Sequence, residues 1–391
     1  MRTVKWNPFL SGVCTVLGGM LLWAGVARAD VSSTNPAAIV VFPKIVIDTT
    51  SSTTHMVDTL IQLTNTASNP VNVRCFYVDA NGHCSNSPFA ICDPDGDPAS
   101  NSCGAAGFCV ASWNETDFAF RLTSHQPIAW TASSGAPDLP LASSPGPNGE
   151  FNSGSIPPVA ENPFRGELKC VEVDDSELPT DSNDLKGEAT IEDITDANGI
   201  TPLVDIRGYN AIGIQAIVGQ NNKDNTLVLG QEYNACPNIL VLDHFFDDAE
   251  EPANGDAVRT KLTLVPCSED FNFQAPTKTT VQYLVFNEFE QRFSTSRSTT
   301  CFTEIALSDI DTRLGPDGDS SSIFNVAVEG TLTGQTLIRG VADSDPTKAP
   351  GHGLLAIAEE FQGEGHSSAY VAGQRGTRTQ PDIILLPDVQ H

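Results

Sequence analysis

Helical periodicity is nearly absent from this sequence of 391 residues. Outside one apolar run near the N-terminus, no stretch repeats its apolar residues every three or four positions. That excludes helical bundles and α/β folds. Basic charge is scarce too, with 21 Lys+Arg against 49 Asp+Glu and a formal net charge of −28. A field of that sign repels phosphate backbones, so nucleic acid is excluded as a partner. The sequence contains no G-x-S-x-G elbow, no H-E-x-x-H pair and no P-loop, which removes the common hydrolase, zinc-protease and nucleotide-binding signatures. It also lacks C-x-x-C, which argues against a zinc site or a thioredoxin-like redox pair. Gly351-His352-Gly353 with Ala356 mimics a dinucleotide fingerprint, but it stands outside any strand–turn–helix unit.

What is present begins with a leader. Arg2 and Lys5 precede an apolar run from Phe9 to Val26, and Ala27-Arg28-Ala29 follows. Small residues at those spacings are what a signal peptidase cuts, so residues 1–29 are expected to be a cleaved N-terminal signal helix. Pro8, Ser11, Gly12, Gly18 and Gly19 interrupt the run, leaving it short of the roughly 20 apolar residues of a spanning helix. No later stretch could span a bilayer, so the expected product is secreted, extracellular or periplasmic. Its leader carries only basic charge, which leaves the remainder more acidic still.

Ten cysteines occur. Cys14 departs with the leader, leaving Cys75, Cys84, Cys92, Cys103, Cys109, Cys170, Cys236, Cys267 and Cys301. In an exported chain these are expected to form disulfides. Nine is odd, so one thiol stays free or bridges to a second molecule. Cys267 ends one predicted strand and Cys301 begins another, and the two are expected to pair. The insertion 84–109 is rich in Gly, Asn, Ser and Pro and has little apolar material, so cross-links should order it.

Between these landmarks the chain alternates. Val57, Thr59, Ile61 and Leu63 share one face of a period-2 strand, as do Val71, Val73, Cys75 and Tyr77, then Phe118, Phe120 and Leu122, then Ile128 and Trp130. Half-buried antiparallel strands produce this pattern. Further strands are predicted at Ile39–Ile47, Glu167–Val173, Ile212–Val218, Ile239–Leu242, Val281–Phe286, Ile323–Val328 and Thr336–Val341. The turn cluster Thr64–Pro70 predicts a hairpin between its flanking strands. Such density of short strands predicts an all-β protein. Its long loops are Ser133–Phe164 and Asp174–Lys186, beside the insertion. The acidic, turn-rich break Phe245–Val258 divides the chain into domains at 30–245 and 246–391. A faint internal echo suggests duplication: DTLIQLTNTAS, PVNVRCFYVDANG and GELKCVEVDD recur in order as RTKLTLVPCSE, TVQYLVFNEFEQ and GLLAIAEEF.

The run DTLIQLTNTASNPVNVRCFYVDANG followed by TDFAFRLTSHQPIAW resembles immunoglobulin-like modules of exported bacterial proteins, over roughly residues 38–173. The resemblance implies two immunoglobulin-like antiparallel β-sandwiches in a secreted or cell-surface setting. It carries no functional residue with it, and the insertion at 84–109 departs from the pattern.

Two clusters remain as candidate chemistry. Asp243-His244 precedes Asp247, Asp248, Glu250 and Glu251, a set able to ligate a transition metal or to act as an acid/base pair. Asp93, Asp95 and Asp97 alternate in DPDGDPAS, matching the first three oxygen ligands of a calcium loop, and calcium is the one cofactor the pattern admits. Pro98 and Gly104 stand where an EF-hand wants glycine and glutamate. Asp317 and Asp319 repeat the theme. Ser367 beside His366 cannot pair with it, since neighbours on a strand face opposite ways. The expected function is a non-enzymatic structural or binding protein with a protein or glycan partner at the cell surface. The competing readings are a calcium-dependent adhesive or carbohydrate-binding protein, and an extracellular hydrolase with its site in the long loops.

Overall fold

The protein is described by a computed structural model covering residues 31–50, 52, 54–92, 103–104, 107–111, 113–136, 155–196, 202–249, 257–274, 277–311, 313–314, 320–341, 352–363 and 366–388. The leader, the Asp93/Asp95/Asp97 triplet, Asp317, Asp319, Glu250 and Glu251 lie outside the described residues. No described helix is long and apolar enough to cross a membrane.

The chain is nearly all β. One sheet holds β1 (Ile39–Ile47), β3 (Val71–Asp79), β7 (Asn114–Leu122), β9 (Phe164–Val173) and β12 (Ile212–Ile214), in the order β12-β1-β9-β3-β7. Facing it are β2 (His55–Asn65), β8 (Pro127–Thr131), β10 (Leu185–Thr195) and β11 (Leu203–Asn210), in the order β11-β10-β2-β8. All pairings in both are antiparallel. The alternation seen in sequence is used directly: Ile61, Leu63, Val73, Phe118, Phe120 and Trp130 meet in one core. The Trp130 indole donates to the Tyr77 hydroxyl at 2.6 Å, so the buried polar edge of the indole is satisfied.

Strands β1, β3 and β9 are buried on both faces, which is why they read as nearly unbroken apolar runs. Their outer side chains, including Ile39, Val41, Phe76 and Val171, pack against Leu227, Phe271 and Ile384. These belong to or adjoin a small sheet of β13 (Thr226–Leu229), β16 (Glu269–Asp270) and β26 (Asp382–Leu385), in the order β13-β26-β16. Phe76 stacks on Phe271 with centroids 4.5 Å apart.

A second pair of sheets follows. One has the order β18-β17-β22-β14-β25, from β14 (Pro237–Phe245), β17 (Lys278–Asn287), β18 (Arg292–Thr300), β22 (Thr333–Val341) and β25 (Gly373–Thr377). The other has the order β19-β15-β23-β24, from β15 (Val258–Pro266), β19 (Thr303–Ala306), β23 (Leu354–Gln362) and β24 (Ser367–Val371). Leu242, Leu262, Leu264, Val281, Val285 and Ala356 share the core between them. The insertion forms a ribbon, β5 (Ser87–Cys92) and β6 (Cys109–Ala111) flanking β4 (Gly82–Cys84). Strands β20 (Arg313–Leu314) and β21 (Ser320–Ser321) pair locally, and the described helices are the single turns α1 (Leu307–Ile310) and α2 (Val326–Glu329).

Several expectations change. Strands β2 and β3 lie in different sheets, so Thr64–Pro70 arches across the core instead of closing a hairpin. Alternation marks the buried face of a strand but not its neighbour. Ile323–Val328 is a turn leading into α2, because the Asn325 side chain accepts from Ala327 N at 2.8 Å and Gly330 ends the helix at φ 69°. Strand β14 precedes the break expected at Phe245–Val258, yet it pairs with β22 and β25 in the later sheet. The expected echo is not repeated in the pairing: β3 joins β9, whereas β15 joins β23 and leaves β17 in the opposite sheet.

Eight cysteines form four disulfides: Cys75–Cys170, Cys84–Cys103, Cys92–Cys109 and Cys236–Cys267. Disulfides place the protein in an oxidising compartment. Cys75 and Cys170 face each other directly across β3 and β9. The expected Cys267–Cys301 bridge is absent. Cys301 sits just beyond β18 at φ 57°, where its sulfur accepts from Thr277 N at 2.9 Å, and Cys236 takes its place at Cys267. Cys301 is the free thiol among these nine, and it is buried. Gly353, from the sequence that mimics a nucleotide loop, packs against this bridge. A Cβ there would stand 2.7 Å from the Cys236 Cβ, so glycine serves close packing.

Candidate functional site

His244 looks inward from β14 and Asp243 outward, so the two cannot act as a pair. The His244 Nδ1 donates to the Phe245 carbonyl at 2.9 Å, and the Thr336 hydroxyl donates to Nε2 at 2.8 Å. Phe246 meets the ring edge-on at 5.3 Å. Burial pulls the pKa of His244 down to about 4, so the ring is neutral at pH 7 with both nitrogens engaged. Asp247 turns away to accept from Thr260 N at 2.9 Å and Ser308 N at 3.0 Å. Asp248 accepts from Asn325 Nδ2 at 2.6 Å. The cluster that looks catalytic in sequence braces turns. Ser367 donates to Asp205 at 2.6 Å, and His366 contributes its carbonyl to the β23–β24 turn.

The buried charges form two closed networks where the earlier and later strands meet. A register shift between Phe42 and Ile45 turns Lys44 off β1. It reaches Glu304 on β19 at 2.9 Å and Glu359 on β23 in a shorter contact. Glu359 also accepts from Arg207 Nε at 2.9 Å, and Arg207 continues to Asp205 at 2.8 Å and Asp193 at 3.5 Å. Burial would lower the pKa of Lys44, but Glu304 and Glu359 outweigh it and hold the ammonium above its ordinary value. Burial likewise works against ionised Glu304, yet Lys44 and Lys261 bring it down to about 2. The second network joins Lys169 to Glu167 at 3.0 Å and to Glu269 on β16 at 2.6 Å. Burial, and then the charge of Glu167, push the Glu269 carboxyl well above its ordinary value despite Lys169.

A third cluster roots the disulfide ribbon. Asn81 Nδ2 donates to Glu161 at 2.6 Å and to the Pro163 carbonyl at 3.0 Å, and His83 Nε2 lies 3.1 Å from Glu161. Asp79 accepts from Asn81 N at 2.9 Å. Burial, and then a hydrogen bond with Glu161, push its pKa up to about 8. The ribbon itself carries Phe89 and Phe108, 96% and 67% exposed, and its two disulfides are packed together.

One surface stands apart. The outer face of the β18-β17-β22-β14-β25 sheet is open, and its cross-strand pairs form three rows. Ser294, Leu284, Leu337, Val241 and Gly373 make a mainly apolar middle row across all five strands. On one side Ser296, Gln282 and Arg339 are aligned, and the pair Ile239–Arg375 extends that edge. On the other stand Arg292, Phe286, Gln335 and Asp243. Lys278 lies on the same face of β17, at even spacing from Gln282. A shallow depression of about 700 Å³ opens over Gln282, Leu284, Ser296, Leu337 and Arg339.

Lys278, Arg292, Arg339 and Arg375 are all exposed. With Lys186 on β10, they are the described basic side chains that enter no ion pair or hydrogen bond. Lys44, Arg74, Lys169, Arg207, Arg259 and Arg378 all meet carboxylates. Among the described residues, the carboxylates at this face stand together at one end and are engaged: Asp243 accepts from Gln335 at 2.8 Å, and Glu288, just beyond β17, accepts from Thr333 N at 3.0 Å and from its hydroxyl at 2.9 Å. No sequence pattern flagged these residues. β18 reads RFSTSRSTT, which has too few apolar residues to announce a strand.

No known protein family matches the chain, and no curated protein matches it.

Proposed function

We propose that this chain is an exported, non-enzymatic binding protein built of two immunoglobulin-like β-sandwiches, its leader removed after Ala29. The observation that carries the reading is the contrast in how charge is used. Groups that could serve catalysis, such as His244, Ser367 and the buried carboxylates, are engaged in the architecture. The open face instead presents four unpaired cations around an apolar stripe. Unpaired exposed charge in a row costs the folded protein little and gives a partner something to meet. The four disulfides suit the same setting, because an oxidising compartment preserves them.

The test is made on full-length chain expressed with its leader. Protein recovered outside the cytoplasm should begin at Asp30 and show no turnover on panels of ester, glycoside and peptide substrates. Turnover that disappears in Ser367→Ala or His244→Gln would overturn the non-enzymatic reading. An intact leader on cytoplasmic protein would overturn export.

A further inference from the structure

We infer that the open face of the β18-β17-β22-β14-β25 sheet binds an acidic polysaccharide laid across the strands. The inference rests on the binding-protein reading and names the ligand class for that face. Sign of charge comes first: Lys278, Arg292, Arg339 and Arg375 gather on one face of a chain with net charge −28. Elsewhere the described basic side chains, Lys186 apart, have partners in the protein. The face is therefore complementary to an anion while the rest of the surface repels one. Such an arrangement favours a ligand that carries its charges at intervals and stays within the face. A nucleic acid, with a phosphate at every residue and a long reach, would run into the acidic surroundings.

The rows supply the rest. Leu284, Leu337 and Val241 give an apolar floor across β17, β22 and β14, suited to the C–H faces of sugar rings. Ser296, Gln282 and Gln335 line its sides and Ser294 its β18 end, with hydroxyl and amide groups able to exchange hydrogen bonds with sugar hydroxyls. Arg339 on β22 and Arg375 on β25 are two strands apart, roughly 10 Å at the usual strand spacing, with Arg292 across the floor. Each guanidinium can hold a carboxylate with two parallel bonds. Five strands give a track on the order of 20 Å, enough for several sugar units. Gly373 keeps the β25 end of the floor free of a side chain.

The probes are polygalacturonate and alginate as uronate polymers, neutral dextran, and a single-stranded oligonucleotide, tested on the exported chain by affinity electrophoresis and calorimetry. Both uronate polymers should bind, with affinity falling as salt rises, and dextran and the oligonucleotide should bind at least ten-fold more weakly. Arg339→Gln and Arg375→Gln should each weaken binding about 2- to 5-fold, and together up to about 25-fold, as exposed charge contacts do. Lys186→Gln should leave it unchanged. All three side chains are exposed, so melting temperatures should match the parent. Equal binding of dextran or oligonucleotide, or an arginine pair whose loss changes nothing, would overturn the inference. So would silence from both uronate polymers. In that case the ligand class fails while the binding-protein reading stands, because absence of turnover and export are measured separately.

Discussion

At the scale of single residues, polar groups that looked reactive proved to be held by their neighbours. His244 is the clearest case. Its ring is buried and neutral, with a donor on one side and an acceptor on the other. Its folded pKa of about 4 lies below the ordinary 6.5, so between those values the unfolded chain binds the extra proton. Stability from this group is then complete above about pH 6.5 and declines as pH falls towards 4. The full effect is about 3 kcal/mol. Urea unfolding from pH 7 to 4 should show a steeper loss in the parent than in His244→Asn. That variant should also cost roughly 1–3 kcal/mol at pH 7. Parallel pH curves for the two proteins would show that the imidazole carries charge in the fold. None of this could be read from Asp243-His244 in sequence. Adjacency in a strand is opposition in space, and Asp247 has backbone amides of its own to serve.

At the scale of elements, the ribbon β4-β5-β6 is the part whose order depends on cross-links. It has few apolar side chains to bury, and two disulfides close loops of 19 and 17 residues around it. Each such loop is worth about 3 kcal/mol by chain entropy. Cys84→Ser/Cys103→Ser should expose the ribbon to proteolysis between residues 84 and 109 while leaving the melting of the sheets nearly unchanged. The Cys75–Cys170 bridge lies inside a sheet and closes 95 residues, so Cys75→Ala/Cys170→Ala should lower global stability by about 4 kcal/mol. Limited digestion and urea melts separate the two outcomes. The need for cross-links was legible in composition. Their connectivity was not, because Cys267 met Cys236 only after β14 and β15 were brought together, leaving Cys301 to Thr277.

At the scale of the whole molecule, charge is divided between interior and surface. Lys44, Arg207 and Lys169 come from earlier strands and meet Glu304, Glu359 and Glu269 from later ones. Buried pairs of this kind fix which surfaces meet more than they add stability. Glu359 serves two cations at once, so Glu359→Gln leaves both undercompensated and should cost about 3–5 kcal/mol in denaturant unfolding. A loss below 1 kcal/mol would mean that water reaches Lys44 and Arg207 in the folded protein.

The sequence by itself determined the all-β class and most of the strands between Ile39–Ile47 and Thr336–Val341, Ile323–Val328 excepted, since a period of two and β-branched content act locally. It also determined that cysteines would pair and that net charge is strongly negative. Tertiary structure alone decided which strands are neighbours, which cysteine stays single and which charges are consumed. Those outcomes depend on contacts between residues up to 315 positions apart, such as Lys44 and Glu359. The open cationic face belongs to that second group. Its members come from β14, β17, β18, β22 and β25, and only cross-strand register brings them to one surface.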